Sequence, residues 1–234
     1  ESRYLSGARY VSAAAPGIAD AYRAAYNIRR PEVLLNVFPL ENAPEAADDA
    51  GGEQPGPSIY WFSQTIGPDR GLECTVSAIA LAAAKTHLYL RGQSDAKFVA
   101  HLKALAQSCG ADDRLHFLPL AAPNEMERLA QQYDLGLVAE TGRTKNRRIA
   151  LTNKLFSYLL AGVPTLLSDI PAHVDFAEQA GEAAVLFQTG SAESLAAAMD
   201  TLLFRNAEGL SGARHHAFRL GQQKFNWNLE SEKF

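Results

Sequence analysis

The strongest constraint on this chain is the rhythm that begins at Ser58, where short apolar runs alternate with stretches of helical periodicity. IYWFS, HLYLRG, LHFLPL, LGLVAE, VPTLLS and AAVLF are dominated by apolar residues and do not alternate with polar ones. Between the first two, Leu72, Val76, Ile79 and Ala80 recur at helical spacing. Phe98, Val99, Leu102, Leu105 and Cys109 do so after the second, and Pro123 and Asn124 open another helix. A strand that is apolar on both faces must be covered on both faces, which requires a parallel sheet with helices on either side. The expected fold is therefore α/β: a Rossmann-like, doubly wound parallel sheet of about six strands.

Upstream, ARYVSAA reads as a short strand, residues 17–26 as a helix and VLLNVF as a second strand closed by Pro39. Residues 41–57, ENAPEAADDAGGEQPGP, hold Pro, Gly, Ala and acids with no apolar period to bury. They read as a flexible acidic linker. The chain has 234 residues, 47% of them hydrophobic, enough for a full core. Its net charge of −4 comes with no dense basic face, which argues against nucleic acid as the main partner.

The apolar stretches 78–84 and 155–167 are too short to span a bilayer, and Gly162 and Pro164 interrupt the second. No transmembrane segment is expected, and peripheral membrane contact stays open. Cys74 and Cys109 belong to no metal-ligand cluster, so they read as two buried thiols in a reducing cytoplasm. The opening ESRYLSGARY has neither an initiator Met nor a signal-peptide pattern, which fits a processed or cut chain.

In such sheets ligands bind beyond the carboxyl ends of the strands, where helix N-termini offer unpaired N–H groups and partial positive charge. After the first strand of the sheet, Gly67 and Pro68 make a turn and Arg70 precedes Gly71 at a helix start. A guanidinium and helix amides there would face one anion, such as a diphosphate; a solvated arginine in an exposed turn fits the same residues. After the fourth strand, Thr152 or Asn153 is placed to cap a helix beginning near Lys154, bringing cap, amides and ammonium to one point. Arg143, Lys145, Arg147 and Arg148 form a basic loop just before it, either phosphate-gripping or simply solvated. Arg147 and Arg148 are its better candidates. Glu140 reads as a solvated loop acid that could serve as a spare carboxylate, and His173 as a surface or interdomain residue. His215 and His216 lack metal-ligand spacing.

The stretch 152–169, TNKLFSYLLAGVPTLLSD, resembles the GT-B glycosyltransferases of the retaining family 4 type, glycosyl transferases group 1, with their Asn-Lys-Leu-Phe-Glu-Tyr and Ala-Gly-x-Pro pattern. IYWFSQTIGPDRGLE, LYLRGQ, LHFLPLAAPNEMERLAQQYDLGLV and FNWNLESEKF resemble further parts of the same domain, with Gly92 following its second strand and Trp227 in its closing helix. The resemblance implies that residues 58–234 are the Rossmann-like, nucleotide-sugar-binding C-terminal domain. Residues 1–40 would be the end of an N-terminal acceptor-binding domain and the crossing from it, leaving this chain inactive alone.

It implies a nucleoside diphosphate sugar as donor, no cofactor and no metal. Arg70 would be the catalytic group on the phosphates, and Gln64, Gly67, Gly92, Thr152, Asn153, Lys154 and Ser157 would surround the donor. The chain departs from the family where a second base about six positions before Arg70 is replaced by Gln64. A glutamate pair, the second member of which holds the ribose, is replaced by Ile149 and Ser157. Two other readings remain: a sugar-nucleotide epimerase of the same fold, and a degenerate domain that binds a nucleotide or a protein without catalysis.

Overall fold

The computed structural model describes residues 2–5, 7–46, 54–204 and 207–233. In chain order the elements are α1 (Ser2–Leu5), β1 (Ser12–Ala13), α2 (Pro16–Tyr26), β2 (Glu32–Val33), β3 (Ser58–Ile66), α3 (Leu72–Leu81), β4 (His87–Ser94), α4 (Ala96–Ser108) and β5 (Leu115–Leu118). They continue with α5 (Met126–Gln131), β6 (Leu135–Val138), α6 (Lys145–Ile149), α7 (Asn153–Leu160), β7 (Thr165–Ser168), α8 (Pro171–Ala180), β8 (Ala184–Phe187), α9 (Ala192–Leu203), α10 (Ala207–Gln223) and α11 (Trp227–Glu230).

Strands β3 to β8 form one sheet in the order β5-β4-β3-β6-β7-β8, every pair parallel. The expected six-stranded, doubly wound sheet is what the chain forms. Its two faces carry separate cores, because successive residues of a strand point to opposite sides. Ile59 and Trp61 join Leu72, Val76, Leu102 and Leu202 on one face, while Tyr60 joins Leu155, Phe156, Tyr158 and Phe225 on the other. Chain order reverses between β3 and β6, which share only the pairs Ile59–Leu135 and Tyr60–Gly136. That splayed junction is the switch point, where a crevice opens.

Close backbone approach fixes how the helices sit. A Cβ on Gly136 would lie 2.5 Å from the ring of Tyr158, whose hydroxyl donates to the Tyr60 carbonyl at 2.8 Å. A Cβ on Gly221 of α10 would lie 2.6 Å from Leu160 Cα and 2.8 Å from the Leu159 carbonyl oxygen in α7. Both obstacles are backbone and cannot rotate away. Gly221→Ala, normally favoured in a helix, is expected instead to destabilise the protein by about 1–3 kcal/mol. A urea denaturation midpoint unchanged or raised in this variant would show that α7 and α10 do not pack this closely.

The upstream unit is a parallel pair, β1 and β2, joined by α2. VLLNVF is mostly not a strand: Leu34 N–H still donates to the Ala13 carbonyl at 3.0 Å, but from Leu35 on the backbone is bonded by the last helix instead. Leu35 N–H donates to Glu230 Oε1 at 2.7 Å, Leu40 N–H to Asn228 Oδ1 at 3.1 Å, and Trp227 N–H to the Phe38 carbonyl at 2.8 Å. Of the stretch 41–57, Leu40–Asn42 is a short 3-10 turn and the Ala46 carbonyl accepts from Gln131. Residues 47–53 lie outside the described residues. Of the two cysteines, Cys74 is only partly buried and Cys109 is exposed, because the latter falls just beyond the end of α4. No described helix is long and apolar enough to cross a membrane.

Candidate functional site

At the switch point a cleft of about 550 Å3 opens beyond the carboxyl ends of the strands. Ser63 and Gln64 of β3, Arg91 of β4, Glu140 after β6, and Thr152, Asn153 and Lys154 at the start of α7 line it together with Arg70. Phe38, Phe62, Met126 and Leu151 form an apolar wall. A second hollow, of about 450 Å3, lies among residues 5–32, where Arg30 already bonds Asp20 at 2.7 Å.

Arg70 is placed by a tight turn. Asp69 and Gly71 both have positive φ, and a Cβ on Gly71 would lie 2.8 Å from Ala139 Cβ, so the start of α3 rests on the end of β6. This brings Arg70, half-buried, near Lys154, on the cleft that Glu140 also lines. Asp69 is in turn gripped by the basic segment: Arg143 pairs with its carboxylate and Arg147 donates to its carbonyl. That segment is not a loop but the short helix α6, whose N-cap Thr144 accepts from the Arg147 N–H at 3.3 Å. Arg147 faces the site, 3.9 Å from Glu140, whereas Arg148 and Lys145 are exposed.

Lys154 is buried at the first turn of α7, its ammonium 3.8 Å from Glu140 and 5.4 Å from the centre of the Trp61 ring. Burial pulls its pKa below the usual lysine value. Glu140 opposes that shift, while Arg70 and Arg147 add to it. Glu140 is thus no solvated loop acid: it is only 6% exposed and sits between two cations, Lys154 and Arg147.

Thr152 stands at the N-cap of α7 but makes no capping bond, and its buried hydroxyl, like that of Thr141, has no hydrogen-bond partner among the described residues. Asn153 is exposed, its carbonyl oxygen accepting from Asn36 at 2.7 Å. The start of α7, and Arg70 just before α3, thus border one cleft, whose lining cations are Arg70, Arg91 and Lys154.

Three of the expected donor-site residues fall elsewhere. Gly67, Gly92 and Ser157 are buried and do not line the cleft. A Cβ on Gly92 would lie 2.5 Å from the Ser63 carbonyl oxygen, so this glycine lets β3 and β4 close at their irregular ends. Ser157, one turn below Asn153, donates at 2.7 Å to Glu127 Oε1, and both residues are fully buried. Burial raises the Glu127 carboxyl, with the Ser157 bond working against it, and Glu127 Oε2 has no partner among the described residues. Ile149 packs on α2, where a Cβ on Gly17 would lie 2.9 Å from its own Cβ. Arg91, absent from the expected site, is on the cleft wall and tied by its guanidinium to Tyr60 Oη at 2.7 Å and the Pro119 carbonyl at 2.8 Å.

His173 is not at a surface. It is fully buried; Nδ1–H donates to the Ser168 carbonyl at 2.9 Å and Nε2 has no partner among the described residues. A proton on Nε2 would be buried without an acceptor near Lys154, and the pKa is lowered to about 4. Below about pH 6.5 the unfolded chain takes up a proton at this residue that the folded chain refuses until about pH 4. Stability is thus complete above that window and falls by about 3 kcal/mol across it. Urea titrations from pH 7 to 4 should show a shallower decline for His173→Gln than for the parent; equal slopes would remove His173 as the source. His87 and His116, whose rings meet at 3.0 Å and whose pKa values burial also lowers, contribute in the same direction to both proteins.

Fold and cleft together define a doubly wound α/β domain with a cationic site at its switch point. The chain belongs to the glycosyl transferases group 1 family, whose sequence profile matches residues 56–205, well over half of the chain. No curated protein matches it significantly. Among solved structures it is similar to Anabaena HepE in complex with UDP and glucose, at 17% identity and a TM-score of 0.81, covering 97% of this chain and 62% of that one. It is also similar to sucrose-phosphate synthase from Thermosynechococcus elongatus, at 17% identity and 0.79, covering 99% and 58%. The C-terminal domain of a glycosyl transferase group 1 protein from Francisella tularensis matches at 14% and 0.60, covering 75% and 89%. At these identities the likeness is one of fold, that of the Rossmann-like C-terminal half of GT-B glycosyltransferases, and the chain spans less than two thirds of the first two proteins.

Proposed function

We propose that the cleft binds a nucleoside diphosphate sugar and that the whole protein transfers the sugar to an acceptor, in the manner of the family 4 type. The observation carrying this reading is that Arg70 and Lys154, from different loops, flank one cleft at the starts of α3 and α7. The leaving group of such a transfer is a diphosphate, so a catalyst gains most by neutralising charge as the glycosidic bond breaks. Arg70, Lys154 and the helix amides are suited to that task without a metal ion, and the unpartnered Thr152 hydroxyl is free to donate. HepE is described in complexes with UDP, with UDP-glucose, and with UDP and glucose, which supports a nucleotide in the matching place.

In this reading the acceptor site lies on an N-terminal domain outside this chain, which closes over the cleft to exclude water, and the enzyme works in the cytoplasm. The replacement of the family's glutamate pair by Ile149 and Ser157 favours a second reading, a non-catalytic nucleotide- or protein-binding domain. Calorimetric titration of UDP-, GDP- and ADP-sugars separates the two. Saturable binding of one of them is expected, and failure of all three with a folded sample would overturn the donor-site reading. The isolated chain is expected to bind without turnover.

A further inference from the structure

Among the described residues the cleft contains one carboxylate, Glu140, amid its cations, and an anion site by itself has no use for it. Its position is nonetheless firmly built. The Glu140 N–H donates to Ser168 Oγ at 3.0 Å, which places the residue against the end of β7, and His173 braces the Ser168 carbonyl from behind. The side chain is 6% exposed and lies 3.8 Å from Lys154 Nζ and 3.9 Å from Arg147.

Around the Lys154 ammonium the other charged or titratable groups are the cations Arg70 and Arg147 and the buried His173, with the Trp61 ring on one side. Among the described residues Glu140 is the only carboxylate within ion-pair distance of it. A desolvated ammonium between two guanidiniums is driven toward the neutral amine unless a carboxylate stands beside it.

We propose that Glu140 is a positioning residue: it holds Lys154 as a cation aimed into the cleft, and through Lys154 it supports diphosphate binding. The inference rests on the donor-site reading for its consequence but not for its first step, the state of Lys154. Removing the carboxylate creates an amine that protonates only at lower pH, so binding that depends on Lys154 is lost as pH rises.

UDP is the probe, titrated from pH 6 to 9 into the parent, Glu140→Gln and the double variant Glu140→Gln/Lys154→Arg. At pH 8 Glu140→Gln should bind about tenfold or more weakly than the parent, the loss of one charge-assisted contact. The gap should narrow toward pH 6, and the double variant, whose guanidinium stays charged, should recover the parent's profile. Tighter binding by Glu140→Gln at every pH would make Glu140 a mere repellent of the anion. A deficit constant with pH would make its role structural. Either result overturns the proposal.

NMR titration of 13C-labelled lysine gives a second measurement with no ligand present. Lys154 should titrate at lower pH in Glu140→Gln than in the parent, and an unchanged midpoint overturns the proposal whether or not UDP binds. Absence of UDP binding by the parent, with the lysine shift present, would sink the donor-site reading alone. If Glu140→Gln fails to fold, Glu140→Asp widens the pair and should move Lys154 in the same direction.

Discussion

Arg70→Ala is expected to weaken UDP binding by about 10- to 100-fold while changing uridine binding by less than about threefold. The range is that of a charge-assisted hydrogen bond to phosphate, about 1.5–3 kcal/mol, at a side chain half-buried on the cleft wall. The nucleoside carries everything except the phosphates, so the comparison isolates the contact that the position of Arg70 beside the α3 N-terminus suggests. Arg70→Lys should fall between the two, since it keeps the charge and loses the planar fork. Because the site's cations act partly through solvent, added salt should weaken the parent more than Arg70→Ala. Equal losses for UDP and uridine would show that Arg70 supports the base or the fold instead of the phosphates.

The readable and unreadable parts of this chain divide along a physical line. IYWFS, LGLVAE and VPTLLS announce buried parallel strands because both faces of each are covered, so local composition suffices. The turn Gly162-Val163-Pro164 ends α7 and starts β7 through local backbone preference, and it too can be read in place. Polar residues are different, because their burial depends on partners far along the chain. Ser157 looks like a ribose contact until Glu127, 30 residues earlier, takes its hydroxyl. Glu140 looks solvated until Lys154 and Arg147 close around it, and His173 looks exposed although Ser168 holds it inside. The basic stretch 143–148 reads as loop because its short helix is anchored to Asp69, over 70 residues upstream. Arg70, Gln64, Thr152, Asn153 and Lys154 could be placed on the cleft in advance, since strand ends and helix starts define where a doubly wound sheet opens its crevice.

Trp61→Ala should cost about 3–5 kcal/mol of stability, the range for emptying a large aromatic site in a packed core. Trp61 is 1% exposed, in the central strand β3, in register with Leu90 of β4 and among the side chains that seat α3 and α9. No neighbouring backbone can follow a side chain so much smaller without breaking the ladders on both sides of β3, so most of the cavity should remain open. The same ring lies against the Lys154 ammonium, and the substitution therefore reaches the site from below. Trp61→Phe separates the two effects: it leaves a smaller cavity and a weaker aromatic face, so stability should largely recover while UDP affinity recovers only in part. An unfolding free energy for Trp61→Ala within about 1 kcal/mol of the parent's, a fifth to a third of the expected loss, would contradict this packing. UDP binding unaltered in the folded fraction would leave the core intact as described but detach it from the cleft, and the contact of Lys154 with Trp61 would then carry no function.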